Sequence, residues 1–332
     1  MRVLCLLLLF PAILLAEPVK SPRELTRIAF GSCLNQDRPA PIFDAILAAK
    51  PDLFIWMGDS VYTKSGDVEA LPAAYEKLDA LPGVAALRQK VPTLATWDDH
   101  DFGTNNGGAS FKGKNVAFKA FHDWRGTPAD SPLRDRDGVY SVHDFGPADR
   151  LVRVILLDTR YNRSPLRRKG PSSGTILGEK QWSWLERHLL SPKPRLVILV
   201  SSIQVLPTEH RFEKWANFPA ERQRLLDLLS HDQAPHTIIL SGDRHLAEVS
   251  QIKLTESRHL HEITSSSLNF SFGGIPEEKN DLRIGENYGK ENFGLISLNL
   301  KKGKPHLRAS IGSLEGSPRK PLSLSIPFHL TD

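Results

Sequence analysis

Six stretches of this chain share one pattern, an apolar run that breaks off into polar residues. They are RIAFGSC (27–33), DLFIWMGDSVY (52–62), VPTLATWDDHD (91–101), RVILLDTR (153–160), RLVILVSSIQ (195–204) and HTIILSGDRH (236–245). Unbroken runs rich in Val, Ile and Leu predict strands buried on both faces. Helix-like stretches lie between them: PIFDAILAAK (41–50), GEKQWSWLERHLL (178–190) and PAERQRLLDLLS (219–230). Strand followed by helix, repeated, predicts an α/β core. Close to the end, ENFGLISLNLKKGKPHLRASIGSLEG alternates about KKGK, which predicts an antiparallel hairpin. No internal repeat or low-complexity segment interrupts the pattern. The simplest organisation is a single α/β domain with a mixed sheet over 17–332.

Ligands of open α/β sheets collect at the carboxyl ends of strands, where the loops converge on one crevice. Here those ends carry Cys33, Asp59 with Tyr62, Asp98 to Asp101, Asp158 with Arg160, Gln204, and Asp243 with His245. One such coincidence means little, and an aspartate at a strand end is often only a turn residue. Several together describe a single site. TWDDHD sets Asp98, Asp99 and Asp101 around His100, and carboxylates that close repel one another unless a cation neutralises them. Carboxylates, an imidazole, a thiolate and a phenolate could together hold two or three metal ions. Thiol and phenol are poor ligands while protonated, so a trivalent or strongly Lewis-acidic ion is implied.

Composition adds the compartment. The opening MRVLCLLLLFPAILLA (1–16) reads as a secretory signal peptide, too short for a membrane span, and no other stretch is long and apolar enough to cross a bilayer. An exported protein is expected. Loss of Arg2 lowers the net charge from +5 to +4, and RRK at 167–169 is the densest basic run, so no nucleic-acid-binding module is expected. Of the two cysteines, Cys5 leaves with the signal peptide, and Cys33 is then a lone thiol in an oxidising compartment. His122, His143, His188, His210, His231, His236, His259 and His261 fit no motif and read as surface or satisfied structural histidines. Trp182, Trp184 and Leu185 read as core, while Trp215 and Phe218 suit either packing or a pocket rim.

The segments FGSC, GDSVY, TWDDHDFGTNN, LLDTRY, GEKQWSWLERHL, WANFPAERQRLL and SGDRH occur in order over most of the chain. They resemble the alkaline phosphatase D (PhoD-like) family of the calcineurin-like metallophosphoesterase superfamily. That resemblance implies a four-layer αββα sandwich of two mixed β-sheets flanked by helices. It implies that Asp59 bridges two metals, that Cys33 and Tyr62 bind an iron-like ion, and that Asp99, Asp243 and His245 complete the ligands. Gln204 stands where many relatives have a ligating histidine. The metals implied are iron(III) with calcium, with zinc or manganese in other branches. A metal-bridged hydroxide would attack phosphorus in line. Arg160 and Asn105 would stabilise the phosphoryl oxygens, and His100 would protonate the leaving oxygen with Asp101 orienting it. The expected enzyme is a monomeric phosphomonoesterase or phosphodiesterase acting on a phosphate ester, its choice of substrate set by loops 102–118, 161–178 and 206–220. A metal-containing binder of phosphate or anionic ligands, without catalysis, is the alternative. A serine esterase is set aside because no G-x-S-x-G elbow follows any of the apolar strand-like runs.

Overall fold

The computed structural model describes residues 19–167, 169–190, 194–273, 278–301, 305–314 and 323–326. The signal peptide expected over 1–16 lies outside the described residues. All six apolar runs form strands: β2 (Arg27–Gly31), β3 (Leu53–Met57), β4 (Thr93–Thr96), β6 (Val152–Leu156), β7 (Leu196–Ser201) and β8 (His236–Ser241). The hairpin forms from β12 (Asn292–Asn299) and β13 (His306–Ser313), paired antiparallel.

These strands divide between two mixed sheets. The larger runs β1 (Val19–Ser21), β5 (Ser141–Phe145), β6, β7, β8, β10 (His259–Ser265), β9 (Ala247–Lys253) and β11 (Arg283–Tyr288). The smaller runs β14 (Ser323–Ile326), β13, β12, β2, β3 and β4. Strands β2, β3 and β4 are parallel to one another, as are β6, β7, β8 and β10.

Alternation along each strand explains the unbroken apolar runs. In β2 and β3, Ile28, Phe30, Leu53, Ile55 and Met57 face a core between the sheets, against Val154, Leu156, Ile198, Val200 and Leu240. Their neighbours Ala29, Phe54 and Trp56 face outward under α1 (Ile42–Ala48), α2 (Leu71–Ala80), α3 (Pro82–Lys90) and α5 (Lys114–Trp124). The larger sheet turns Ile155, Val197, Leu199 and Ile239 outward under α6 (Glu179–Leu190) and α7 (Pro219–Ser230). Trp182, Trp184, Leu185, Trp215 and Phe218 lie in that outer core, so the last two pack rather than form a rim. Four layers result, helix, sheet, sheet, helix, each apolar face covered. At the carboxyl ends of the parallel strands, Thr96 Oγ1 donates to the Leu157 carbonyl at 2.7 Å and Leu268 N donates to the Ser32 carbonyl at 3.0 Å. These bonds link loops that leave the two sheets at one edge.

Candidate metal centre

Cys33 and Asp59 follow β2 and β3, and Asp243 and His245 follow β8. All four have left-handed backbones, with φ of 57°, 49°, 68° and 53°. Each such non-glycine residue costs on the order of 1–2 kcal/mol. The sharp turns aim side chains from different strands back toward one edge. Gly58, at φ 98°, makes a close approach, since a Cβ there would stand 2.5 Å from Asp98 Cβ. No side chain but hydrogen fits between the GDS turn and TWDD.

Asp59 is the hub. Its Oδ2 accepts from the Cys33 thiol at 3.5 Å and the Tyr62 hydroxyl at 3.0 Å, and its Oδ1 accepts from His100 N at 3.3 Å. Ligand atoms lie within 4.8 Å of one another in three groups: Cys33, Asp59 and His245; Asp59, Asp99 and His100; and Asp59, Asp98, Asp99 and Asp243. Asp59 belongs to all three. His245 Nδ1 lies 2.5 Å from the Phe270 carbonyl, which can only accept, so Nδ1 carries the proton and Nε2 keeps a free lone pair. His100 lies 4.2 Å from the Tyr62 ring, its Nε2 3.9 Å from Asp99 Oδ1.

The electrostatics ask for a cation. Burial, and then the neighbouring Cys33 and Asp99, push the Asp59 carboxyl well above its usual range. Burial pushes Asp243 up to about 7 and Cys33 to about 11, and raises Tyr62 well above the ordinary phenol. Asp99 alone goes the other way: burial raises it, but Arg160, His100 and the Asn106 N–H together hold it below the usual carboxylate. Asp98 Oδ2 and Asp99 Oδ1 are buried without a hydrogen-bond partner. Buried carboxylate oxygens left bare are costly unless something positive occupies the space between them. The donor set therefore fits polyvalent metal ions.

Above this cluster opens a cavity of about 440 Å³, lined by Asp59, Asp99, His100, Asp243 and His245. Its remaining walls come from Asn105 and Asn106, from Leu166, Arg167, Gly170 and Ser172, from Arg211, Phe212, Glu213 and Asn217, and from Arg244 and Phe272. All three loops expected to set substrate choice contribute to it.

A model of the PhoD-like phosphatase family matches residues 28–299. The chain belongs to this family. Alkaline phosphatase D of Bacillus subtilis is 21% identical over 273 residues, covering 68% of this chain and 46% of that protein. The chain thus spans about half the length of that curated relative. Among solved structures, one titled "Structure of PhoD" aligns over 95% of this chain and 73% of its own, with a TM-score of 0.66 at 16% identity. GAP50 of Plasmodium, titled an anchor in the inner membrane complex, aligns over 92% of this chain and 89% of its own (TM-score 0.60, 16% identity). A dimetal phosphatase from Danio rerio covers 92% of this chain and 99% of its own (TM-score 0.54, 14% identity). These likenesses agree on the two-sheet fold.

For two residues the geometry favours work other than the role implied by the PhoD-like resemblance. Arg160 is fully buried: its Nε donates to Asp98 Oδ1 at 2.5 Å and its Nη1 to Glu213 Oε2 at 2.6 Å. Its guanidinium is spent on two carboxylates and does not line the cavity, so it braces the cluster from behind. The Asp101 carboxylate is engaged by groups other than the His100 ring. Its oxygens accept from Ser60 N (3.1 Å), Tyr75 OH (3.1 Å) and Asp98 N (3.0 Å), closing a capping box on the short helix α4 (Asp99–Phe102). Gln204 is buried, its amide nitrogen held by Glu248 (2.6 Å) and Thr264 (2.8 Å) while its Oε1 has no partner. Asn105 lines the cavity. Not every other histidine is satisfied: His210 is buried with both ring nitrogens unpaired, and burial with Arg244 and Lys214 nearby holds its pKa to about 2.

Asp98, read as part of the strand-end carboxylate cluster but given no ligand role, joins a candidate ligand group. Two contributors escaped sequence reasoning: Glu213 ties Arg160 to Arg163, and Ser266 Oγ sits 3.1 Å from the Cys33 sulfur. The D-x-x-D spacing of Asp98 and Asp101 was a readable capping signal. Glu213 had none, since it lies far from Arg160 in the chain. Among the described residues no helix is long and apolar enough to cross a membrane.

Proposed function

We propose that this chain hydrolyses phosphoric esters, monoesters or diesters, at a centre of at least two cations that share Asp59. The carrying observation is that sharing: one ligand group offers sulfur, oxygen and nitrogen from Cys33, Asp59 and His245, another only carboxylate oxygens from Asp59, Asp98, Asp99 and Asp243. Unlike donor sets side by side suit unlike ions. Iron(III), with its affinity for thiolate and phenolate, suits the first together with Tyr62, and calcium suits the second; zinc or manganese would use the same donors. Bound there, such ions supply Lewis acidity and lower the pKa of attacking water. The chain's own residues do the rest. Asn105 binds a phosphoryl oxygen at the cavity wall. His100, half-buried at the cavity floor and steadied by Tyr62, delivers a proton to the leaving oxygen. Export through the segment 1–16 and a monomeric state belong to the same proposal.

Purified protein is incubated with a chromogenic phosphomonoester and a bis-ester, with and without chelator, and its metals are counted by elemental analysis. Hydrolysis that disappears on chelation is expected. A chelated protein that still cleaves at full speed overturns the proposal. The alternative is a metal-holding binder of anionic ligands that does not catalyse. It would be established by a metal-loaded protein that binds phosphate but turns over neither ester.

A further inference from the structure

The described residues include five exposed large hydrophobics, and the two aromatic ones, Phe212 at 38% and Phe272 at 58%, both line the same cavity above Asp59. Each ring rests on a residue of the SGDRH turn. Phe272 lies 4.1 Å from His245 at 33°, and the Arg244 guanidinium stands 4.1 Å from the centre of Phe212. Arg244 is itself held by Glu278, so the Phe212 wall is fixed from behind. Exposed Arg211, 5.1 Å over Phe212, and Arg167 add cations to the same walls. About 440 Å³ is far more room than a phosphate group needs. Aromatic and guanidinium planes attract flat π-systems through stacking and cation–π contact.

We infer that Phe272 and Phe212, with Arg211 beside them, form a subsite for the alcohol portion of the substrate. The inference rests on the phosphoric-ester reading above, and it assigns the substrate class: phosphate esters whose alcohol carries a planar aromatic or heteroaromatic ring close to phosphorus. Stacking a ring on such a platform is worth about tenfold in affinity.

The test is equilibrium binding to the metal-loaded protein, which needs no turnover. Phenylphosphonate, hexylphosphonate and methylphosphonate are titrated by calorimetry against the parent, Phe272→Leu, Phe272→Tyr and Phe212→Ala. Phenylphosphonate is expected to bind about tenfold tighter than the other two. Phe272→Leu, which keeps apolar volume but not the ring face, should erase most of that preference, Phe212→Ala should reduce it, and Phe272→Tyr should retain it. Equal binding of phenyl and methyl compounds overturns the subsite and leaves the hydrolase reading intact. Hexylphosphonate binding as well as phenylphosphonate also overturns it, in favour of an alkyl chain. If no phosphonate binds at all, the phosphoric-ester reading itself fails and the subsite with it.

Discussion

Arg160→Met tests whether the guanidinium braces the site or touches substrate. In the parent, Arg160 has no exposed surface and holds Asp98 and Glu213. Removing it leaves Glu213 with Arg163 at 3.0 Å, but leaves Asp98 only uncharged donors, the Ser202 hydroxyl at 2.6 Å and the Asp101 N–H of the capping box. The loss therefore falls on Asp98, and stripping one partner from a buried ion pair costs roughly 3–5 kcal/mol. In a chain of this size about 2 °C of Tm is lost per kcal/mol, so a fall of about 6–10 °C is expected. The deficit depends on pH. The unpaired Asp98 carboxyl, raised already by burial, keeps its proton in the folded variant while the unfolded chain releases one near pH 4. The variant's stability thus drops as pH rises above about 4. Thermal melts across pH 5–8, with kcat/KM read at 20 °C where the variant is folded, separate the two roles. If Arg160→Met melts within about 1 °C of the parent while turnover collapses, the guanidinium acts on substrate and the bracing role is refuted.

His100→Ala should lower kcat by about 10²-fold or more while metal content stays at the parent's level, whereas Asp59→Asn should lose metal and activity together; full activity in His100→Ala removes its assigned role. Asp101→Asn should lower Tm through the weakened cap of α4, by about 1 kcal/mol, and leave the acid limb of the kcat/KM profile in place. A displaced limb would restore Asp101 as the partner of His100. In chelated protein, folded Asp243 titrates near 7 and an unfolded aspartate near 4, so the native state binds the extra proton and stability falls between those values. Urea melts at pH 4.5 and 7.5 check this, and a metal-free protein that is more stable at the higher pH contradicts it.

What the sequence made legible follows from burial. Strands β2, β3, β6, β7 and β8 are covered on both faces, and such strands cannot hide in a sequence. Strands β9 and β10 were missed because Glu248, Ser250, Glu262 and Thr264 are buried polar residues that break up the apolar run. Helices α2, α3 and α5 were missed for another reason: their core contacts come from Ala74, Val84, Ala117 and Ala120 as much as from large residues. The count of two sheets came from the family resemblance, since periodicity says that a strand is covered and not by what. At the site, strand-end position identified Cys33, Asp59, Asp99, Asp243 and His245. It could not show what engages Arg160, because a one-dimensional pattern shows a cation near a crevice but not the Glu213 that neutralises it 53 positions later.

Backbone strain joins these two kinds of information. Six non-glycine residues among those described have positive φ, and four of them are Cys33, Asp59, Asp243 and His245. Lys50 and Asn106 are the others, and Asn106 donates its N–H to Asp99 at 2.6 Å, so five of the six serve the cluster. Strain of this kind persists only where the surrounding fold over-determines the chain. Here two sheets, each apolar on both faces, supply that determination, and the cost of the turns is offset in cores far from the chemistry. The backbones of these candidate ligands are therefore set by the packing of the two sheets. A cation would instead act on charge, drawing off the protons that burial raises onto Asp59, Asp98, Asp243, Cys33 and Tyr62. Shape from the apolar runs and charge from the polar strand ends are separate contributions to one site, which is why both could be read along the chain, and why the partners that lie between distant loops could not.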